Sequence, residues 1–104
     1  MAKGGFAIGI RQPAKKELEQ LRIFDQRKIA DAIRNHLSHE PLVPSRNRKE
    51  LIGVNAEFEH DPPLWELRIG EYRVFYDVDE QNRIVRVRAI RHKPPQAATE
   101  DVIR

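Results

Sequence analysis

The sequence predicts an α+β fold: an N-terminal strand, an antiparallel two-helix hairpin, and an antiparallel sheet whose C-terminal part is a three-stranded meander. Three observations carry this. Apolar residues recur at helical spacing between positions 14 and 37, they alternate at period two between positions 64 and 90, and short turn-forming stretches separate the alternating runs.

Phe6, Ile8 and Ile10 share one side at period two and predict a first strand; Met1 to Gly5 before it are expected to fray. Pro13 suits the first turn of a helix, where its missing N–H costs nothing, and Ala14, Leu18 and Leu21 continue a helical stripe that ends near Arg22. Asp25 is placed to cap a second helix, in which Ile29, Ile33 and Leu37 recur every four residues until Glu40-Pro41 stops it. A connection of little more than Ile23-Phe24 makes the helices antiparallel neighbours. Residues 41–55 hold two prolines and Gly53 and read as a loop with one short strand or turn around Leu51-Ile52. Three alternating runs follow, Leu64 to Ile69, Tyr72 to Val78 and Ile84 to Ile90, separated by Gly70-Glu71 and by Asp79-Glu80-Gln81-Asn82. Lys93-Pro94-Pro95 ends the sheet. Residues 97–104 are expected to be a flexible tail with at most one helical turn.

A chain of 104 residues buries roughly 65% of its unfolded surface, enough for one domain spanning 1–104. The absence of cysteine excludes a disulfide framework, a zinc ribbon and a thiol nucleophile, and fits a reducing cytoplasm. No apolar run approaches the ~20 residues of a membrane span, so a cytoplasmic protein with no membrane partner is expected. The net charge is +3, but its distribution says more than its size. Arg83 to Lys93 carries five basic residues and no acid, and Arg46, Arg48 and Lys49 form a second basic knot. Such stretches either attract phosphates or simply keep a surface solvated.

Strand pairing sharpens this. A two-residue turn at Gly70-Glu71 pairs Ile69 with Tyr72, Leu67 with Val74 and Trp65 with Tyr76; the next turn is expected to pair Val78 with Arg83, Tyr76 with Val85, Val74 with Val87 and Tyr72 with Ala89. That face is apolar and belongs on the helices. The opposite face then carries Arg68, Arg73 and Arg88 in one row and Glu66, Phe75 and Arg86 in the next, with strands about 4.8 Å apart. Like charges side by side destabilise a sheet, and guanidinium groups match phosphate oxygens, so the row points to an anion. Phe75 is either a surface for stacking a base or simple packing. Glu66, the only carboxylate expected near the centre of this face, is either a base or an ion-pair partner of Arg68 or Arg86. His92 shares the parity of Arg86 and Arg88, so it is expected on the basic face, as a proton carrier or a bystander. The spacing of His36, His39 and His60 makes no metal site, and neither a metal nor another cofactor is predicted.

Trp65 to Val78, with its Tyr-Arg-Val-Phe-Tyr core, and Ile84 to Lys93, closing on Arg-His-Lys, resemble the RelE/ParE toxin superfamily of bacterial type II toxin–antitoxin systems. The likeness extends more weakly over the helical hairpin and the turn from Arg48 to Gly53. It implies a RelE-like fold and a cognate antitoxin that wraps the toxin. It also implies one of two activities: metal-independent cleavage of mRNA by an endonuclease in the ribosomal A site, halting translation and growth, as in RelE-type members, or non-catalytic inhibition of DNA gyrase, as in ParE-type members. A relic that binds only its antitoxin is a third possibility. Under the nuclease reading, Arg73 matches the arginine that steadies phosphate charge, and His92 and Lys93 match the catalytic end of the last strand. Glu66 completes a catalytic set, with Arg46, Arg48, Lys49, Arg68, Phe75, Arg86 and Arg88 as the RNA-binding set. Leu64 and Glu66 stand where one nuclease branch has lysines, and nothing after Lys93 replaces that branch's catalytic tyrosine.

Overall fold

A computed structural model describes residues 5–104. Its elements run in the order β1 (Ala7–Ile10), α1 (Gln12–Glu19), α2 (Ile23–Leu37), β2 (Arg48–Leu51), β3 (Leu64–Ile69), β4 (Tyr72–Asp79), β5 (Ile84–His92) and α3 (Thr99–Val102). The five strands form one sheet in the order β1-β5-β4-β3-β2; β1 runs parallel to β5 and every other pairing is antiparallel. The predicted α+β architecture is therefore present. Of the fraying expected for Met1 to Gly5, all but Gly5 lies outside the described residues; the Gly5 carbonyl accepts from the Arg83 Nε at 3.3 Å.

Boundaries differ at the hairpin and in the loop. α1 stops at Glu19, and Ile23 and Phe24 belong to α2 rather than to the connection. Arg22, not Asp25, sits at the cap position; Asp25 lies in the first turn, where the positive end of the helix favours a carboxylate. Arg22 donates to that carboxylate at 2.9 Å and Tyr72 at 3.1 Å, and together they hold it below the usual aspartate range. The short strand of the loop is Arg48–Leu51, slightly earlier than Leu51-Ile52, because it pairs with Leu64 to Leu67 of β3.

One face of the sheet packs on the helices. Ala14, Ile29, Ile33 and Leu37 meet Trp65, Leu67, Val74, Tyr76, Val85, Val87 and Ile90 in the main core. The β3–β4 register is the predicted one, with Gly70 in the left-handed region its tight turn requires. The β4–β5 register is not. Its loop is Glu80 to Arg83, so Asp79 pairs with Ile84, Val78 with Val85 and Tyr76 with Val87. The register then shifts: Phe75 pairs with Ala89, leaving Arg88 as the extra residue of a β-bulge. Every side chain of β5 after Arg88 consequently points to the face opposite to the one simple alternation assigns. Ile90 joins the main core, and Ala89 leaves it.

The second face is covered as well. Leu64, Phe75 and Ala89 form a smaller core with Ile103, flanked by Leu51, Val54, Ala56, Phe58 and Val102. Residues 97–104 are thus not a loose tail. They contain α3, and Ile103 is only 1% exposed.

Candidate functional site

The bulge decides which of the predicted site residues meet. The row across the second face is Arg68, Arg73 and Arg91: Arg68 pairs with Arg73 on β4, and Arg73 pairs with Arg91 on β5. Arg88 is displaced toward Asp77, to which it donates at 2.8 Å. Arg86 donates to the other oxygen of the same carboxylate at 2.8 Å and to Asp61 at 3.0 Å. Asp77 also accepts the backbone N–H of Asp61, and the two carboxylates together neutralise a pair of arginines that alternation assigns to an anion-receiving face. The neighbouring carboxylates raise the Arg86 pKa above its ordinary value, first through the Asp77 hydrogen bond. Asp77 shares the parity of Arg73 and Phe75, so Glu66 is not the only acid on this face. Alternation alone would have found it.

Phe75 is fully buried against Phe58, with ring centroids 5.8 Å apart, and presents no surface to a base. Its role is packing. His92 falls on the helix-covered face, opposite Tyr72, with rings 5.4 Å apart and Nε2 3.0 Å from Glu71. Arg48 also points to the helix layer, donating to the carbonyls of Val43 and His36 at 2.9 and 3.3 Å and so satisfying the C-terminal end of α2.

The remaining candidates converge. A cleft of about 310 Å³ is lined by Ser45, Arg46, Asn47, Arg48, Lys49, Glu66, Arg68, Arg73, Lys93, Ala98 and Thr99. Glu66, 4% exposed, lies 3.5 Å from the Arg73 Nε, 3.8 Å from the Lys49 Nζ and 3.4 Å from the Thr99 hydroxyl. Arg73 also donates to the carbonyls of Gly70 and Tyr72, both at 2.9 Å, which fixes its guanidinium from below. Burial lowers the pKa of Arg73 from its ordinary value, and Glu66 opposes that shift. The group remains a cation at neutral pH. The loop before β2 is tied to the cleft edge by Asn47, which accepts from the Arg68 N–H at 2.7 Å and donates to its carbonyl at 3.1 Å. Thr99, Asn47 and Arg91 are absent from the sequence-based set. Thr99 carries no pattern signal, whereas Arg91 becomes visible only once the bulge is known.

Chemically, the cleft gathers several cations around one carboxylate. Glu66 offsets only part of the charge, and guanidinium and ammonium groups arranged this way suit phosphate oxygens.

Comparison with known proteins gives this geometry a lineage. Residues 8–94 match the family described as the ParE toxin of the type II toxin–antitoxin system parDE. The chain belongs to the ParE toxin family. No curated protein matches the sequence. Among solved structures, the RelBE2 toxin–antitoxin complex of Mycobacterium tuberculosis superimposes with a TM-score of 0.67 at 21% identity, covering 86% of this chain and 99% of that one. The archaeal RelE–RelB complex of Pyrococcus horikoshii gives 0.66 at 21% identity, covering 86% and 97%. Both likenesses show that this ParE-family chain has the RelE-like fold. No helix of the described residues is long and apolar enough to cross a membrane.

Proposed function

We propose that this toxin acts as a ribosome-dependent mRNA endonuclease that is masked by a cognate antitoxin. The observation carrying this reading is the convergence of Glu66, Arg73 and Lys93 on one cleft that Arg46, Lys49 and Arg68 also line. In such a cleft Glu66 accepts the proton of an attacking 2′-hydroxyl, and Lys93 returns one to the leaving 5′-oxygen. Arg73 and Arg68 hold the charge that develops on the phosphoryl oxygens, a task for which guanidiniums fixed beforehand are suited. His92 has no part in this scheme, because it occupies the other face. The antitoxin follows by analogy with the two similar structures, each a toxin–antitoxin complex.

Inhibition of DNA gyrase is the second reading, favoured by the ParE description of the matching family and by the internal ion pair that engages Glu66 and Arg73. One experiment separates the two. The toxin is induced in a bacterial host as wild type and as Glu66→Gln, Lys93→Ala and His92→Ala, mRNA ends are mapped, and purified toxin is titrated into a gyrase supercoiling assay. The nuclease reading expects new RNA ends that fall at least ~100-fold with Glu66→Gln or Lys93→Ala and persist with His92→Ala. Growth arrest without new ends, accompanied by loss of supercoiling, establishes the gyrase reading instead.

A further inference from the structure

Residues 95–104 lie beyond the stretch that defines the family, yet they cover the face on which the cleft opens. Their attachment is narrow. Ile103 inserts into the smaller core with Val102 beside it, and the Arg91 Nη1 donates to the carbonyls of Val102, at 2.9 Å, and Arg104. Ala98 and Thr99 form one wall of the cleft, and the Thr99 hydroxyl touches Glu66. The helix between these contacts is a single turn.

Beneath this segment the row of Arg68, Arg73 and Arg91 is held by groups that do not belong to it. Arg73 is fixed by the carbonyls of Gly70 and Tyr72, and Arg91 by Glu17 of α1 at 2.6 Å. Arg68, on its exposed strand position, makes no ion pair among the described residues. Lifting the segment would therefore leave the three guanidiniums where they are, while uncovering Arg73 and freeing the donor groups that Arg91 now spends on the two carbonyls. Lys49 and Lys93 flank the same area.

We infer that residues 95–104 are a strap that holds the cleft partly closed, and that releasing it joins Arg68, Arg73 and Arg91 into one continuous surface for a polyanionic single strand. The strap regulates the site to which the nuclease reading assigns RNA, and so it rests on that reading for its ligand. Closed, the cleft offers Arg46, Arg68 and Lys93 at its rim, with Arg73 nearly buried in its floor. Open, it exposes Arg73 more fully and adds Arg91.

The test uses the full chain and a fluorescently labelled oligouridine, read by anisotropy, so that no cleavage is required. Ile103→Asp unseats the anchor. It is expected to bind the oligonucleotide at least tenfold more tightly than wild type, and to steepen the dependence of log affinity on log salt by about 1.4, two further phosphates at roughly 0.7 each. A folded variant with unchanged or weaker affinity overturns the strap. A second measurement on the wild-type chain stands even if Ile103→Asp does not fold. Hydrogen exchange at the amides of Ala97 and Asp101, which donate to Pro94 and Ala98, should accelerate at least tenfold when the oligonucleotide is added; slower or unchanged exchange overturns the inference. Strap release on binding, without RNA cleavage in any condition, would remove the nuclease reading and keep the strap. Cleavage with no change at the strap amides would do the reverse.

Discussion

At the scale of single residues, the second face shows how a correct assignment of direction can mislead about exposure. Parity places Phe75, Arg86 and Asp77 together, and the structure agrees. What parity cannot convey is the cover supplied by loop and C-terminal residues such as Phe58, Asp61 and Ile103, which lie far away in sequence and carry no periodic pattern. Phe75 decides between stacking and packing by experiment. As a core side chain without exposure, its replacement in Phe75→Ala should cost about 3–5 kcal/mol in urea unfolding, and Phe75→Leu about 1–1.5 kcal/mol, with the leucine variant retaining toxicity. Loss of toxicity in a Phe75→Leu protein of near-normal stability would instead assign the ring to a ligand.

At the scale of elements, the first hairpin was legible because a two-residue turn with glycine in front leaves one register open, and alternation on both strands agrees with it. The second hairpin was not. A longer loop permits several registers, and the bulge at Arg88 inserts a residue without interrupting the apolar alternation on either side. That one residue moves His92 to the helix layer and puts Arg91 in the row. Lys49, Glu66, Arg68 and Arg73 line the cleft as alternation on β2, β3 and β4 places them, whereas Arg48 turns to the helix layer and Phe75 is packed, because the groups that receive them lie in loops without a periodic pattern. The bulge also has a structural consequence at the edge. β1 pairs with β5 only as far as Val87, and beyond it Glu17 of α1 accepts the Ile90 N–H at 2.8 Å and the Arg91 Nε–H at 2.6 Å. A carboxylate from a helix thus completes the sheet where the neighbouring strand ends. Glu17→Ala should lower the unfolding free energy by about 1.5–3 kcal/mol, since it strands a buried donor and removes a charged acceptor. Glu17→Gln, which keeps an acceptor, should recover about half of that loss. The check is the urea midpoint at constant m-value; equal stability of Glu17→Ala and wild type would mean that water satisfies both donors.

Across the whole molecule, the same net charge of +3 is distributed unequally. Near Asp77 and Asp61, Arg86 and Arg88 are neutralised inside the protein. Around the cleft, Arg46, Arg68 and Lys93 make no ion pair among the described residues, and Glu66 answers to Arg73 and Lys49 together. Three cations without carboxylate partners therefore stand around one cleft, and a bound anion should relieve their mutual repulsion. Inorganic phosphate is the simplest probe. At ten times its dissociation constant it should add about 1.4 kcal/mol to the folded state, since occupancy stabilises by RT ln(1 + [L]/Kd). For a domain of this size that corresponds to a rise in Tm of roughly 6–10 °C. Sulfate should act likewise, and sodium chloride at equal ionic strength should not, because a specific site is distinguished from general screening by anion geometry. Arg68→Ala or Lys93→Ala should abolish most of the rise, whereas Arg86→Ala, already saturated by Asp77 and Asp61, should retain it even though the variant starts from a lower Tm. A phosphate effect that survives Arg68→Ala and Lys93→Ala but disappears with Arg86→Ala would move the anion site away from the cleft, and with it the placement of the reaction.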